Sequence, residues 1–133
     1  MRNKRALILM VSLLVVGTSL YAQKASSAHI TAAEAKNHIG KLATVCGVVA
    51  STHYAASSRG GPTFLNLDKP YPGQIFTIVI WRNDRGKFGQ PEEALRGKDV
   101  CVTGRIKEYR EVPEIIVQNP TQIKVVKRKN SGN

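Results

Sequence analysis

Several things are missing from this chain. It has no G-x-S-x-G, no phosphate-binding G-x-x-x-x-G-K-[ST] loop and no setting for a nucleophilic cysteine. Its three histidines, His29, His38 and His53, lack the spacing of metal ligands. No two of its carboxylates form an evident acid/base site. Asp68 and Asp84 flank a predicted strand, and each reads more simply as a turn or cap residue. No catalytic residue, metal or cofactor is expected, and the chain is read as a non-enzyme. Acidic residues are scarce as well: 9 Asp+Glu stand against 20 Lys+Arg, a net charge of +11. A field of that sign favours nucleic acid, anionic polymers or acidic partners.

Cysteine is limited to Cys46 and Cys101. Beyond the first residues, no apolar run is long enough to span a bilayer. The start of the chain is different. Arg2, Lys4 and Arg5 precede an apolar stretch over residues 6–16, followed by Gly17, Thr18, Ser19 and Ala22. A basic start, a short apolar segment and a small-residue exit describe a secretory signal. Residues 1–22 are therefore expected to be cleaved; the alternative is an uncleaved anchor, because Leu20 is larger than the usual residue three before the cut. The protein is expected to be periplasmic or secreted, with no stable membrane span after cleavage. Cleavage would leave 17 Lys+Arg against 9 Asp+Glu, a net charge of +8. In an exported chain, an even cysteine count favours a disulfide between Cys46 and Cys101.

The rest divides into a linker (23–29), one domain (30–126) and a basic flexible tail (127–133). Thr31 and Glu34 form a T-x-x-E capping box, and Gly40 suits a helix end. A short N-terminal helix is expected from Thr31 to His38 or Ile39. In KLATVCGVVAST, Ala43, Val45, Gly47 and Val49 alternate with Thr44, Cys46, Val48 and Ala50, as in a strand with one buried side. A loop rich in small residues follows over 53–61. Residues 62–81, PTFLNLDKPYPGQIFTIVIW, read as two strands joined by a turn, with Leu65, Leu67, Phe76, Ile78 and Ile80 turned inward. Pro91, Glu92 and Glu93 open a short inserted helix that Gly97 can end. The next strand, KDVCVTGRIKEY, echoes the first: Gly40-Lys41 and Gly97-Lys98 each precede an inward glycine, Gly47 or Gly104. REVPE is a turn and EIIVQ the fifth strand, after which NPTQIKVV closes the edge.

Strand, strand, strand, short helix, strand, strand is the order of the OB-fold, an all-β five-stranded barrel. VCGVV, PTFLNLDKPYP, FTIVIW, CVTGRI and PEIIVQNPTQI together resemble the small exported OB-fold domains of bacteria. Similar domains are appended to secreted nucleases, and they are usually described as nucleic-acid-binding. FLNL also resembles the F-x-x-L of anticodon-binding OB domains of tRNA synthetases, where the aromatic stacks on a base. By position that role falls on Phe64. Some nucleases use an OB barrel with a calcium-binding carboxylate cluster, which this chain lacks. In the fold, the first and fourth strands are neighbours, so Cys46 and Cys101 would face each other outside the barrel.

The resemblance implies a binding surface on the second and third strands, flanked by the loops after the first and fourth. That surface would hold Phe64, Asn66, Thr77 and Trp81, with Tyr54, Arg59, Tyr109 and Arg110 from the loops. Arg82, Arg105 and Lys107 would supply charge. Aromatics for bases and cations for phosphates are what a single-strand groove needs. Single-stranded DNA or RNA is the expected partner. The alternative is an envelope protein that binds a protein partner, an anionic glycan or a small ligand on the same face.

Overall fold

The computed structural model describes Gly17 and residues 28–127. Apart from Gly17, the signal segment lies outside the described residues. So do residues 23–27 of the linker and 128–133 of the tail. The strands are β1 (Ala28–Thr31), β2 (Leu42–Tyr54), β3 (Thr63–Leu67), β4 (Thr77–Ile80), β5 (Asp99–Tyr109), β6 (Val112–Ile116) and β7 (Ile123–Val125). Two single-turn helices, α1 (Arg82–Arg85) and α2 (Pro91–Ala94), lie between β4 and β5. The sheet runs β1-β2-β3-β4-β6-β5-β7, and an added β2–β5 pairing closes five of these strands into a barrel. β4 and β6 pair in parallel, while the other barrel contacts are antiparallel. This is the OB-fold barrel that the order of elements predicts.

Alternation explains the core. Val45 and Val49 of β2, Leu65 and Leu67 of β3, Ile78 and Ile80 of β4, and Val100, Val102 and Ile106 of β5 are all buried. Phe76, just before β4, is fully buried with them. Burial of such side chains stabilises by roughly 1.5–3 kcal/mol each. The two echoing glycines sit where the walls approach closely. A Cβ on Gly104 would lie 2.6 Å from Ile115 Cγ2, and one on Gly47 would lie 2.7 Å from Asp68 Oδ1. Asp68 itself turns with φ +65° and accepts a hydrogen bond from the Val48 amide at 2.9 Å.

Two local expectations change. The N-terminal helix shrinks to one 3-10 turn, Ala35–Asn37. The capping box forms nonetheless: the Thr31 amide donates to Glu34 Oε2 at 2.7 Å, and the Glu34 amide donates to Thr31 Oγ1 at 3.3 Å. The segment is wound by i to i+3 bonds (Glu34 to Thr31, Ala35 to Ala32, Asn37 to Glu34, His38 to Ala35) and leaves helical geometry at His38, while Thr31 ends β1, which runs parallel to β2 in register from Ala28↔Ala43 to Thr31↔Cys46. Ala28 and His29, placed in the linker by sequence, are thus part of the sheet. At the other end of the domain, Asn119 and Gln122 form a capping box around a 3-10 turn (Pro120–Gln122), and β7 then pairs with β5.

Candidate ligand-binding groove

β2 is continuous from Leu42 to Tyr54 but changes phase halfway. Its register with β3 shifts between Val49↔Leu67 and Ser51↔Asn66. A one-residue bulge reverses which side chains face the core. Beyond it, Ser51 and His53 join Asn66 and Phe64 on the outer face. Across the sheet, one row runs Ser51, Asn66, Thr77, Glu114, Lys107, and the next runs His53, Phe64, Val79, Ile116.

This face is the floor of a groove of about 970 Å³. Phe64, Asn66 and Thr77 lie in its floor, with Ser51 and His53 on one flank and Val112 and Glu114 on the other. Tyr71 and Pro72 come from the β3–β4 loop, and Tyr109 and Arg110 from the β5–β6 hairpin. Tyr71 is 72% exposed and Tyr109 58%. Phe64 is half-buried, so one part of its ring anchors in the sheet while another faces the groove. A hydrogen-bonded relay crosses the floor. Thr77 Oγ1 donates to Asn66 Oδ1 at 2.8 Å, and Asn66 Nδ2 donates to Ser51 Oγ at 3.0 Å. The Tyr71 amide also donates to Ser51 Oγ at 3.0 Å, which fixes the loop that carries the tyrosine. Asn66 retains a second N–H, and it is pre-oriented by the relay.

The hairpin at the opposite wall turns through Arg110 and Glu111, both with positive φ (+48° and +68°), between the paired residues Tyr109 and Val112. Two successive left-handed residues match the twist of a two-residue hairpin. Arg110 thereby reaches the groove, with its guanidinium 5.3 Å from the Tyr109 ring centroid. The carboxyl of Glu114 is held above its ordinary value by desolvation, with the Lys107 ammonium opposing that rise.

Of the eleven residues expected at the site, Phe64, Asn66, Thr77, Tyr109 and Arg110 line the groove, and Lys107 stands beside it opposite Glu114. The others lie elsewhere. The β2 bulge turns Tyr54 to the other side, where the Arg85 guanidinium stacks 3.8 Å above its ring and also pairs with Glu92. Trp81 lies on Gly60, whose Cβ would come within 2.8 Å of the indole. Arg82 packs over Gly61 and donates to the Ala56 carbonyl at 2.7 Å. Both therefore hold the loop after β2. Arg59 is exposed on that loop, outside the groove lining. Arg105 donates to the Gly40 carbonyl at 2.6 Å on the half of the barrel that carries the disulfide.

Sequence reasoning did not place Tyr71, Gln74 or Glu114 at the site. Tyr71 did leave a signal, because an aromatic between prolines in KPYPGQ has no strand face to bury against. The Cys46–Cys101 disulfide is present, between residues directly opposite in β2 and β5. Among the described residues no group of three or more His, Cys, Asp or Glu could hold a metal ion, and no helix is long and apolar enough to cross a membrane.

No family description matches the sequence, and no curated protein matches it. Its likenesses are structural. Asparaginyl-tRNA synthetase from Pyrococcus horikoshii superposes with a TM-score of 0.52 at 20% identity, over 73% of this chain and 22% of the synthetase. An aspartyl-tRNA synthetase from Leishmania major Friedlin gives 0.52 at 14% identity, over 79% of this chain and 22% of that one. This chain thus spans about a fifth of either synthetase. OBody AM3L15, solved bound to hen egg-white lysozyme, gives 0.53 at 18% identity, over 77% of this chain and 96% of the OBody. At these identities the likeness shows the fold alone, and that fold is the OB barrel.

Proposed function

We propose that this protein is an exported, non-catalytic OB module that binds single-stranded or flexible nucleic acid in the groove over β3 and β4. One observation carries the reading: Phe64, Tyr71 and Tyr109 surround a pre-oriented polar row, Ser51–Asn66–Thr77, in an open groove. Aromatic faces stack on bases of any sequence, and fixed amide and hydroxyl groups meet base edges. Arg110 and Lys107 stand at the rim for phosphates, within a mature chain of net charge +8 (17 Lys+Arg against 9 Asp+Glu after residue 22). Two of the similar structures are tRNA synthetases, which agrees with this partner class. Export rests on the N-terminal pattern and agrees with the disulfide.

Fluorescence anisotropy of the mature domain with labelled oligonucleotides tests the reading. Binding at low salt is expected to weaken as salt rises, with a log–log slope of about −0.7 per phosphate neutralised. Phe64→Ala should lower affinity by roughly 1–3 kcal/mol, the worth of one stacked base. Removing the residues after Val126 should cost less. Absence of binding at low salt would sink the proposal.

The OBody complexes with lysozyme favour a second reading, in which a protein docks on the barrel. Partners captured from a periplasmic extract that survive nuclease treatment would favour that reading over the first.

A further inference from the structure

Next to the groove lies a second cavity of about 410 Å³, built by three separate segments. Lys36 comes from the N-terminal 3-10 turn, Lys69 and Gln74 from the β3–β4 loop, and Glu111 and Val112 from the β5–β6 hairpin. Gln74 and Val112 line both cavities, so the two adjoin at these residues. The two lysines outweigh the one carboxylate, leaving the cavity positive. Gln74 Oε1, at the junction, is buried with no hydrogen-bond donor among the described residues. A buried acceptor without a partner is costly, and a ligand that brings a donor relieves the cost.

We propose that this cavity is a second subsite for the same strand. The phosphate of the nucleotide leaving the groove sits between Lys36 and Lys69, and an N–H or O–H of that nucleotide donates to Gln74 Oε1. The inference rests on the nucleic-acid reading above and extends it. It makes the footprint longer than the β3–β4 floor and gives it an exit past the β5–β6 hairpin.

Two labelled oligothymidylates test it, one of about four nucleotides and one of about twelve, the range that OB-folds cover. The wild-type domain should hold the longer one more tightly and with a steeper salt dependence. Lys36→Ala/Lys69→Ala should remove most of that advantage and flatten the salt slope by about 0.7, the share of the one phosphate the two lysines hold, while binding of the short oligonucleotide stays unchanged. Both side chains belong to exposed residues, so the thermal midpoint should not fall. Gln74→Met should weaken the longer oligonucleotide about fivefold or more yet leave the midpoint equal or higher, because a donor-less oxygen has been removed. If the double lysine variant matches wild type on the long oligonucleotide, or loses both lengths equally, the second subsite is overturned. In that event Phe64→Ala still weakening both lengths leaves the groove itself standing. Failure of the wild-type domain to bind either oligonucleotide overturns both.

Discussion

The two halves of the barrel wall carry their outward side chains in opposite ways. Where β2 and β5 first pair, these side chains engage each other. Cys46 is bonded to Cys101, the hydroxyls of Thr44 and Thr103 lie 2.8 Å apart, and Gln122 donates to the Thr103 carbonyl. β1 and β7 flank this half on either side. Over β3, β4 and β6 the arrangement reverses. The relay Ser51–Asn66–Thr77 runs along the buried floor of the groove, and Tyr71 and Tyr109 are exposed above it beside the half-buried Phe64. One half uses its outer polar groups to hold the barrel closed. The other ties its polar row into the floor, leaves Tyr71 and Tyr109 exposed above it, and takes its rigidity from the wall behind. Binding side chains gain most when a stiff scaffold orients them, because less freedom is lost on association.

The largest effect should come from breaking the closed half. The disulfide joins residues 55 apart in sequence. In the chain-entropy account, a loop of that size stabilises by about 4 kcal/mol. The double variant Cys46→Ala/Cys101→Ala should lose up to that amount in denaturant titration. At temperatures where it remains folded, it should bind oligonucleotides as wild type does. A folded variant with a damaged groove would show that the two halves are not separable in function.

A smaller effect sharpens the same contrast from the open side. Glu111 sits at φ +68° beside Arg110 at +48°, in a turn whose geometry suits glycine. A left-handed residue with a side chain costs about 1 kcal/mol, partly offset by the looser unfolded chain of a glycine variant. Glu111→Gly should therefore raise stability by about 0.5–1 kcal/mol by thermal or chemical unfolding. A loss of stability would mean that the carboxylate itself supports the hairpin.

How much of this could be read from the residues follows the same division. The closed half was legible because alternation determines it. The order of elements gave the OB-fold, and in that fold the first and fourth strands pair, which predicted the β2–β5 pair and the facing cysteines. The hairpin over residues 62–81 was equally plain, since turning Leu65, Leu67, Ile78 and Ile80 inward puts Phe64, Asn66, Thr77, Val79 and Trp81 on the other side. What was hidden depended on phase and on close approach. Nothing in GVVASTHY announces a bulge at Ala50, yet the bulge turns Tyr54 away and brings His53 and Ser51 round. Alternation puts Trp81 on the outer face at the end of its strand, with Arg82 beside it as a source of charge. Gly60 and Gly61 show instead that they pack on the neighbouring loop, a fit that only three dimensions disclose. The N-terminal helix shortened because a capping box opens a 3-10 turn as readily as an α-helix, and the bonds that follow it run i to i+3.

The smallest effect concerns the carboxylate inside the open half. Glu114 occupies the row between Thr77 and Lys107, and desolvation pushes its carboxyl above the ordinary 4.5, against the pull of the Lys107 ammonium. Burial therefore favours the neutral acid. Its contribution to stability is complete below the unfolded value and fades as pH rises through the folded one. A polyanion in the groove disfavours the carboxylate further, so binding should take up a proton as pH falls through the raised value of Glu114, and affinity should rise there. Glu114→Gln should bind oligonucleotides about two- to fivefold more tightly than wild type at neutral pH, the scale of one screened charge at the groove wall. The gap between variant and wild type should close as pH falls through that raised value. If the gap were the same at both pH values, Glu114 would be acting through shape and hydrogen bonding, and the groove's electrostatics would rest on Arg110 and Lys107 alone.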